Sequence, residues 1–212
     1  MDKKKNLIVI DLDGTIVKGN TLHLYIKAGI RDMVCRLRFA DIFRSAVTLT
    51  RRYLGNISHT DMKYRMLSLI NRDGVLRHGF KERVSDLISI PVLRVMDDYR
   101  DSGSEILIAT AAPDIYMDVI KSLPGFRDIE IISSTYCSAD GTLLPKDAVT
   151  ECRGKEKALQ VEKYLSSNRQ RLSAIITDHE DDRPLINLAE RSGSIIYLTG
   201  KKPPSHHDAV YL

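Results

Sequence analysis

The chain has 212 residues, 43% hydrophobic and 28% charged, a balance that suits a soluble globular protein of one domain with an insertion, or two small ones. Its net charge of +4 is too mild to call for nucleic acid, and the apolar run before Asp11 is too short for a signal peptide or a membrane span. The three cysteines, Cys35, Cys137 and Cys152, are odd in number and widely spaced, which gives no metal-ligand spacing and suits a reducing, cytoplasmic setting.

Taken in order, the chain begins with a strand over 6–11. The run Leu7-Ile8-Val9-Ile10 is continuous enough for a strand buried on both faces of a parallel sheet. It ends in Asp11-Leu12-Asp13-Gly14-Thr15. The two aspartates are spaced to leave the same side of the chain, where ligands of open α/β sheets bind. Two acids at the end of a buried strand are costly without a cation or a catalytic role. A solvated Asp-Gly surface turn accounts for this stretch taken alone.

Helical signals then dominate for about 70 residues. Thr21 can cap a short apolar helix, and 31–54 reads as one helix with arginines interspersed. Ser58 to Asp61 resembles a capping box opening a helix to about Ile70, which Asn71 to Gly74 ends. Phe80 to Ile90 is a further helix, and Pro91 suits the first turn of the next, which runs to Ser102. Residues 17–95 carry 15 Lys+Arg against 6 Asp+Glu, a net +9 that leaves −5 for the rest of a chain of total +4. This basic block is a candidate second domain, with 1–16 and 96–212 as the core. An acidic and a basic module suggest a shared anionic ligand; plain solvation bias accounts for the split as well. The basic amphipathic helix over 31–54 can lie on a membrane or bind a partner, although a solvated basic face is the commoner explanation.

From Glu105 strands alternate with helices. Strands are expected over 105–110, 129–133, 173–177 and 194–198, with a helix starting at Pro113, a hairpin turn over 139–142, and helices from Gly154 and Asp182. The tail from Lys201 to His207 reads as a loop with surface histidines. The alternation argues a doubly wound parallel sheet. Thr110 alone could be a satisfied hydroxyl, Asp178 alone a helix cap, and Lys157 alone a solvated lysine. Strand ends at Asp11, Thr110 and Asp178 together make isolated explanations poor.

These residues resemble the haloacid dehalogenase-like superfamily of phosphohydrolases. Asp11-Leu12-Asp13-Gly14-Thr15 is similar to its first motif and Thr110 to its second. A lysine at 155 or 157 resembles its third, with Lys157 favoured by the spacing from Cys152. Thr177 to Asp182 is similar to its acidic fourth motif. Ala111 to Asp114, Ser138 to Leu143 and Asp182 to Leu185 resemble the phosphoserine-phosphatase-like branch, which carries a helical cap where 17–95 falls. Departures are Thr177 before Asp178, Asp181 where Ser or Asn is usual, and Ala112 where Ser is frequent. The register of Pro184-Leu185 favours Asp182 over Asp181 as the second acid of the fourth motif.

The resemblance implies an α/β core with an inserted all-helical cap, and a Mg²⁺-dependent phosphatase acting on a small phosphorylated substrate. By the family pattern Asp11 is the nucleophile that forms an aspartyl-phosphate, and Asp13 the general acid and base. Thr110 and Lys157 hold phosphate. Asp11, the Asp13 carbonyl and Asp178 bind Mg²⁺, with Asp182 supporting its water shell. A sugar-phosphate phosphomutase and a non-catalytic phosphate-binding domain are the alternatives. The cap aromatics Tyr25, Phe39, Phe43, Tyr53, Tyr64 and Phe80 suit several substrates.

Overall fold

The structure, a computed structural model, describes residues 4–70, 78–178, 180–199 and 209–212. The turn expected at Asn71 to Gly74, the loop expected at Lys201 to His207, and His179 of the fourth motif lie outside the described residues.

Six parallel strands form one sheet: β1 (Asn6–Ile10), β2 (Glu105–Pro113), β3 (Glu130–Ser134), β4 (Arg171–Thr177), β5 (Ile195–Leu198) and β6 (Val210–Tyr211), in the order β3-β2-β1-β4-β5-β6. The chain steps outward from β1 to β3, then returns to place β4 on the other side. The carboxyl ends of β1 and β4 therefore meet at the switch point where such sheets bind ligands. β6 was not expected; it is two residues at the sheet edge, too short for any periodicity to register.

Alternation along β1 explains why its apolar run is unbroken. Ile8 and Ile10 join one core cluster, whereas Leu7 and Val9 join another on the opposite face. The second face is covered by α7 (Lys155–Ser167) and α8 (Arg183–Ser192), through Val161, Leu185, Leu188 and Ala189.

Five helices lie between β1 and β2: α1 (Thr21–Cys35), α2 (Phe39–Tyr53), α3 (His59–Ile70), α4 (His78–Asp86) and α5 (Ile90–Asp101). Several share the core of the first sheet face. Tyr25 of α1, Phe80 of α4 and Tyr116 beyond β2 form an aromatic trio with ring centroids 4.9–5.3 Å apart. The segments entering and leaving this helical block bond to each other: Lys18 N–H donates to Leu87 O at 2.7 Å and Ser89 N–H to Ile16 O at 2.8 Å.

Three local expectations need correction. The single helix over 31–54 is two helices, broken at Leu37, which takes a left-handed φ of +54°. Arg38 closes the corner: its backbone N–H donates to Met33 O at 2.9 Å, and its guanidinium reaches Asp41 and Leu69 O. No glycine or proline marks the break, and the apolar period runs through it. The cap of α1 is Asn20, which accepts from His23 N–H at 3.0 Å, rather than Thr21. The strand β2 runs on to Pro113, so the following helical turn starts at Asp114 and continues as α6 (Met117–Lys121). The capping box is present: Asp61 N–H donates to Ser58 Oγ at 3.0 Å, and Ser58 N–H to Asp61 Oδ2 at 3.3 Å. The hairpin turn at 139–142 is present, with Ser138 N–H donating to Thr142 O at 2.9 Å.

Candidate active site

Asp11 continues the β1–β4 ladder by one bond, its N–H donating to Ile176 O at 2.9 Å. The chain then folds back sharply: Val17 N–H donates to Leu12 O at 2.9 Å and Gly14 N–H to Val17 O at 2.8 Å. Gly14 has φ +78°, and a Cβ there would lie 1.9 Å from Asp178 Oδ2. Only glycine lets the loop after β1 close on the carboxylate that follows β4.

The other predicted residues converge from separate elements. Lys157 lies in the first turn of α7. Helical side chains tilt toward the N-terminus, and Lys157 reaches back under the strand ends, 3% exposed. Its Nζ donates to Asp11 Oδ1 at 2.9 Å and to Asp182 Oδ2 at 2.8 Å. Lys155 is exposed. Asp182 is buried and also accepts from the Thr177 hydroxyl at 2.8 Å, so its carboxylate anchors Lys157. Asp181 is exposed and ion-pairs with Arg153. Asp13 Oδ1 accepts from Thr21 N–H, the first residue of α1, at 2.7 Å. Thr110 is buried in β2, its hydroxyl accepting from Ala112 N–H at 3.1 Å.

Asp11, Asp13, Thr110, Lys157, Asp178 and Asp182 all line one cavity of about 370 Å³, in the size range of small-ligand sites. Burial pushes the Asp11 carboxyl up to about 7, against the pull of Lys157. Burial also raises Asp13, against the Thr21 hydrogen bonds. For Lys157 burial works against the ammonium, but Asp11 and Asp182 outweigh it and hold the lysine above its ordinary value.

The donor set fits a hard cation. Asp11 and Asp178 offer carboxylate oxygens and the Asp13 backbone a carbonyl, and the Gly14 cradle brings Asp178 against the Asp11–Asp13 loop. Among the described residues no group of three His, Cys, Asp or Glu side chains is placed to hold a metal. Magnesium needs no such cage, because it keeps several waters and takes one or two protein carboxylates.

Sequence reasoning missed three basic side chains of the cavity wall. His59 and Lys63 of α3 and Arg153 also line the cavity. Lys63 is buried, 3.2 Å from Glu151, which accepts from the Tyr136 hydroxyl at 2.8 Å. Burial lowers His59, helped by the nearby Lys63 charge. The available signal was the i,i+4 spacing of His59 and Lys63 on the face of α3 that also carries Met66 and Ile70. None of the six cap aromatics lines the cavity. Tyr25 and Phe80 are core, and Phe39, Phe43 and Tyr53 are exposed.

A doubly wound sheet with acids at the ends of β1 and β4 and a lysine held between Asp11 and Asp182 is the setting of a class of hydrolase. The chain belongs to the haloacid dehalogenase-like hydrolase family, whose model matches residues 8–187. No curated protein matches it in sequence. Among solved structures, a Bordetella pertussis Tohama I protein of unknown function superposes with a TM-score of 0.70 at 18% identity, covering 95% of this chain and 92% of that one. A HAD-family hydrolase of Salmonella enterica serovar Typhi gives 0.64 at 13%, covering 98% and 67%. A substrate-bound phosphoserine phosphatase gives 0.59 at 16%, covering 100% and 94%. At these identities the likeness is one of fold alone. No helix among the described residues is long and apolar enough to cross a membrane.

Proposed function

We propose that the chain is a Mg²⁺-dependent phosphatase that hydrolyses a small phosphomonoester through an aspartyl-phosphate on Asp11. The observation that carries this reading is Lys157, held between Asp11 and Asp182 on the wall of the cavity that Asp13, Thr110 and Asp178 share. Asp11 attacks phosphorus in line and displaces the alkoxide. Lys157 brings positive charge beside the attacking carboxylate, and the Thr110 hydroxyl donates a hydrogen bond to a phosphate oxygen. Asp13, whose carboxyl burial biases toward the protonated form, gives its proton to the leaving oxygen. It then takes one from the water that hydrolyses the intermediate. Asp11, the Asp13 carbonyl and Asp178 would hold Mg²⁺, which would supply positive charge to offset that of the phosphate. Asp182 keeps Lys157 in register and would support the water shell of Mg²⁺. Residues 17–95 act as the cap over a core of 1–16 and 96–212, with His59 and Lys63 facing the substrate's leaving group. The three free cysteines accord with a reducing, cytoplasmic setting.

The test is inorganic phosphate release from a panel of small phosphomonoesters and an aryl phosphate with Mg²⁺ present. The wild type should turn over at least one, and a chelator should stop it. Asp11→Asn should lose at least about 10³-fold in kcat with its circular dichroism unchanged. Full activity of Asp11→Asn, or no effect of the chelator, would sink the mechanism.

A further inference from the structure

Helix α2 is built inside out. A helix on a water-soluble surface turns its apolar stripe to the core and its polar face to solvent. Here the fully buried residues are Asp41, Ser45 and Thr48, with Ile42 half-buried against the core beside them. Each is satisfied: Asp41 by Arg38 at 2.8 Å, the Ser45 hydroxyl by Met33 Sδ at 3.7 Å, and the Thr48 hydroxyl by Arg44 O at 2.8 Å. The outward stripe carries Phe39 and Phe43, 69% and 70% exposed, and continues through Val47 to Leu54, 63% exposed. These four fall on one helical face by their spacing. Leu37, at the corner before α2, adds a further exposed apolar side chain held there by its left-handed backbone, a conformation disfavoured for leucine.

The charges beside this stripe are of one sign. Arg44 and Arg51, seven residues apart, follow one flank of the stripe. The acids nearby are engaged: Asp41 is buried against Arg38 and also accepts from the half-exposed Arg44 at 3.3 Å, and Asp32 pairs with Arg36 at 3.0 Å. A second copy docking through the same face would bring arginines against arginines with no exposed acid on α2 to meet them. At 15 residues the helix is about 22 Å long at 1.5 Å per residue, too short to span a bilayer and suited to lie in its surface.

We propose that the outward face of α2 docks on the surface of an anionic lipid bilayer, Phe39, Phe43, Val47 and Leu54 entering the headgroup region and Arg44 and Arg51 meeting acidic headgroups. This is the arrangement of an interfacial amphipathic helix with basic flanks. It stands apart from the reading of the active site, because none of these residues lines the catalytic cavity. The two are linked through α3, which packs on α2 and carries His59 and Lys63.

Vesicle co-flotation of the full chain tests this, with phosphatidylcholine vesicles compared with vesicles that also contain about one quarter phosphatidylglycerol. At about 0.1 M salt the wild type should partition at least about tenfold more onto the anionic vesicles, and raising the salt should weaken this. Phe39→Ser with Phe43→Ser should abolish binding, and Arg44→Gln with Arg51→Gln should remove the preference for anionic lipid. Circular dichroism should be unchanged in both, since all four side chains are exposed and Asp41 keeps its pair with Arg38 when Arg44 is replaced. The chain has no tryptophan, so Phe43→Trp installs a single reporter whose emission should shift to the blue on anionic vesicles. No flotation of the wild type, unchanged flotation of the phenylalanine double variant, or an unshifted reporter would each overturn the proposal. So would a dimer in sedimentation equilibrium that the phenylalanine double variant dissociates, because the face would then be an interface between copies.

Discussion

Gly14 shows how one residue joins two strand ends. A methyl group there would overlap the Asp178 carboxylate, and φ of +78° already disfavours any L side chain. Gly14→Ala should therefore move Asp178 by an ångström or more. Misplacement on that scale costs roughly 100-fold in rate, and a higher Mg²⁺ requirement should accompany it. Phosphate-release kinetics over a Mg²⁺ series measure both. Glu151 is a second such residue. Burial opposes its charge, but Lys63 and the Tyr136 hydroxyl outweigh that and hold its carboxyl below the usual value of 4.5. A carboxyl depressed on folding contributes stability above its unfolded value and loses it as pH falls. Glu151→Gln leaves Lys63 buried without this partner. It should cost about 2 kcal/mol at neutral pH, below the roughly 3–5 of a fully enclosed pair. The gap to wild type in urea unfolding should narrow as pH drops through about 4.5. Asp11, Asp13, Thr110, Lys157 and Asp178 were legible because each sits at or near the end of an element whose period the sequence displays. Lys63 and Glu151 were not, because 88 residues separate them in the chain and only the fold brings them to 3.2 Å.

At the scale of elements, periodicity located the buried strands and most helices, since alternation and helical period are direct records of which face is buried. It failed at the α1–α2 corner for a physical reason. Leu37 supplies neither of the usual breakers, and the turn is held by Arg38 contacts to Met33, Asp41 and Leu69. The apolar period across 31–54 was real, but part of it faces outward, so pattern alone could not say which side of α2 meets the core. The corner makes a prediction of its own. Leucine at a φ of +54° carries a left-handed penalty of about 1 kcal/mol that glycine lacks. Leu37 is 68% exposed, so Leu37→Gly forfeits little packing. It should leave the protein as stable as wild type, or more stable by up to about 1 kcal/mol, in urea unfolding. A loss of stability would show that Leu37 packs against something the corner needs.

The helical block between β1 and β2 shares part of its apolar interior with the sheet. Phe80 of α4 is fully buried, and its ring meets Tyr25 of α1 and Tyr116 beyond β2 at 5.3 and 5.1 Å. Ile8, Ile10, Ile106 and Ile108 of the sheet belong to the same apolar cluster as Met62, Met66 and Leu67 of α3. The linker bonds between 16–18 and 87–89 further tie the entry of the block to its exit. Charge bias suggested two modules; where they meet, their apolar residues form one cluster, which surface charge does not report. A block that loses part of its burial when the sheet opens should unfold with it. Urea unfolding followed by amide hydrogen exchange, read separately in α3 and in β1 and β4, should give one midpoint for both. Phe80→Ala removes a ring from the junction and should cost roughly 3–5 kcal/mol, lowering both midpoints by the same amount. If exchange in α3 moved alone while β1 and β4 kept their protection, the helices would be an independently folding unit and the aromatic trio only its seal.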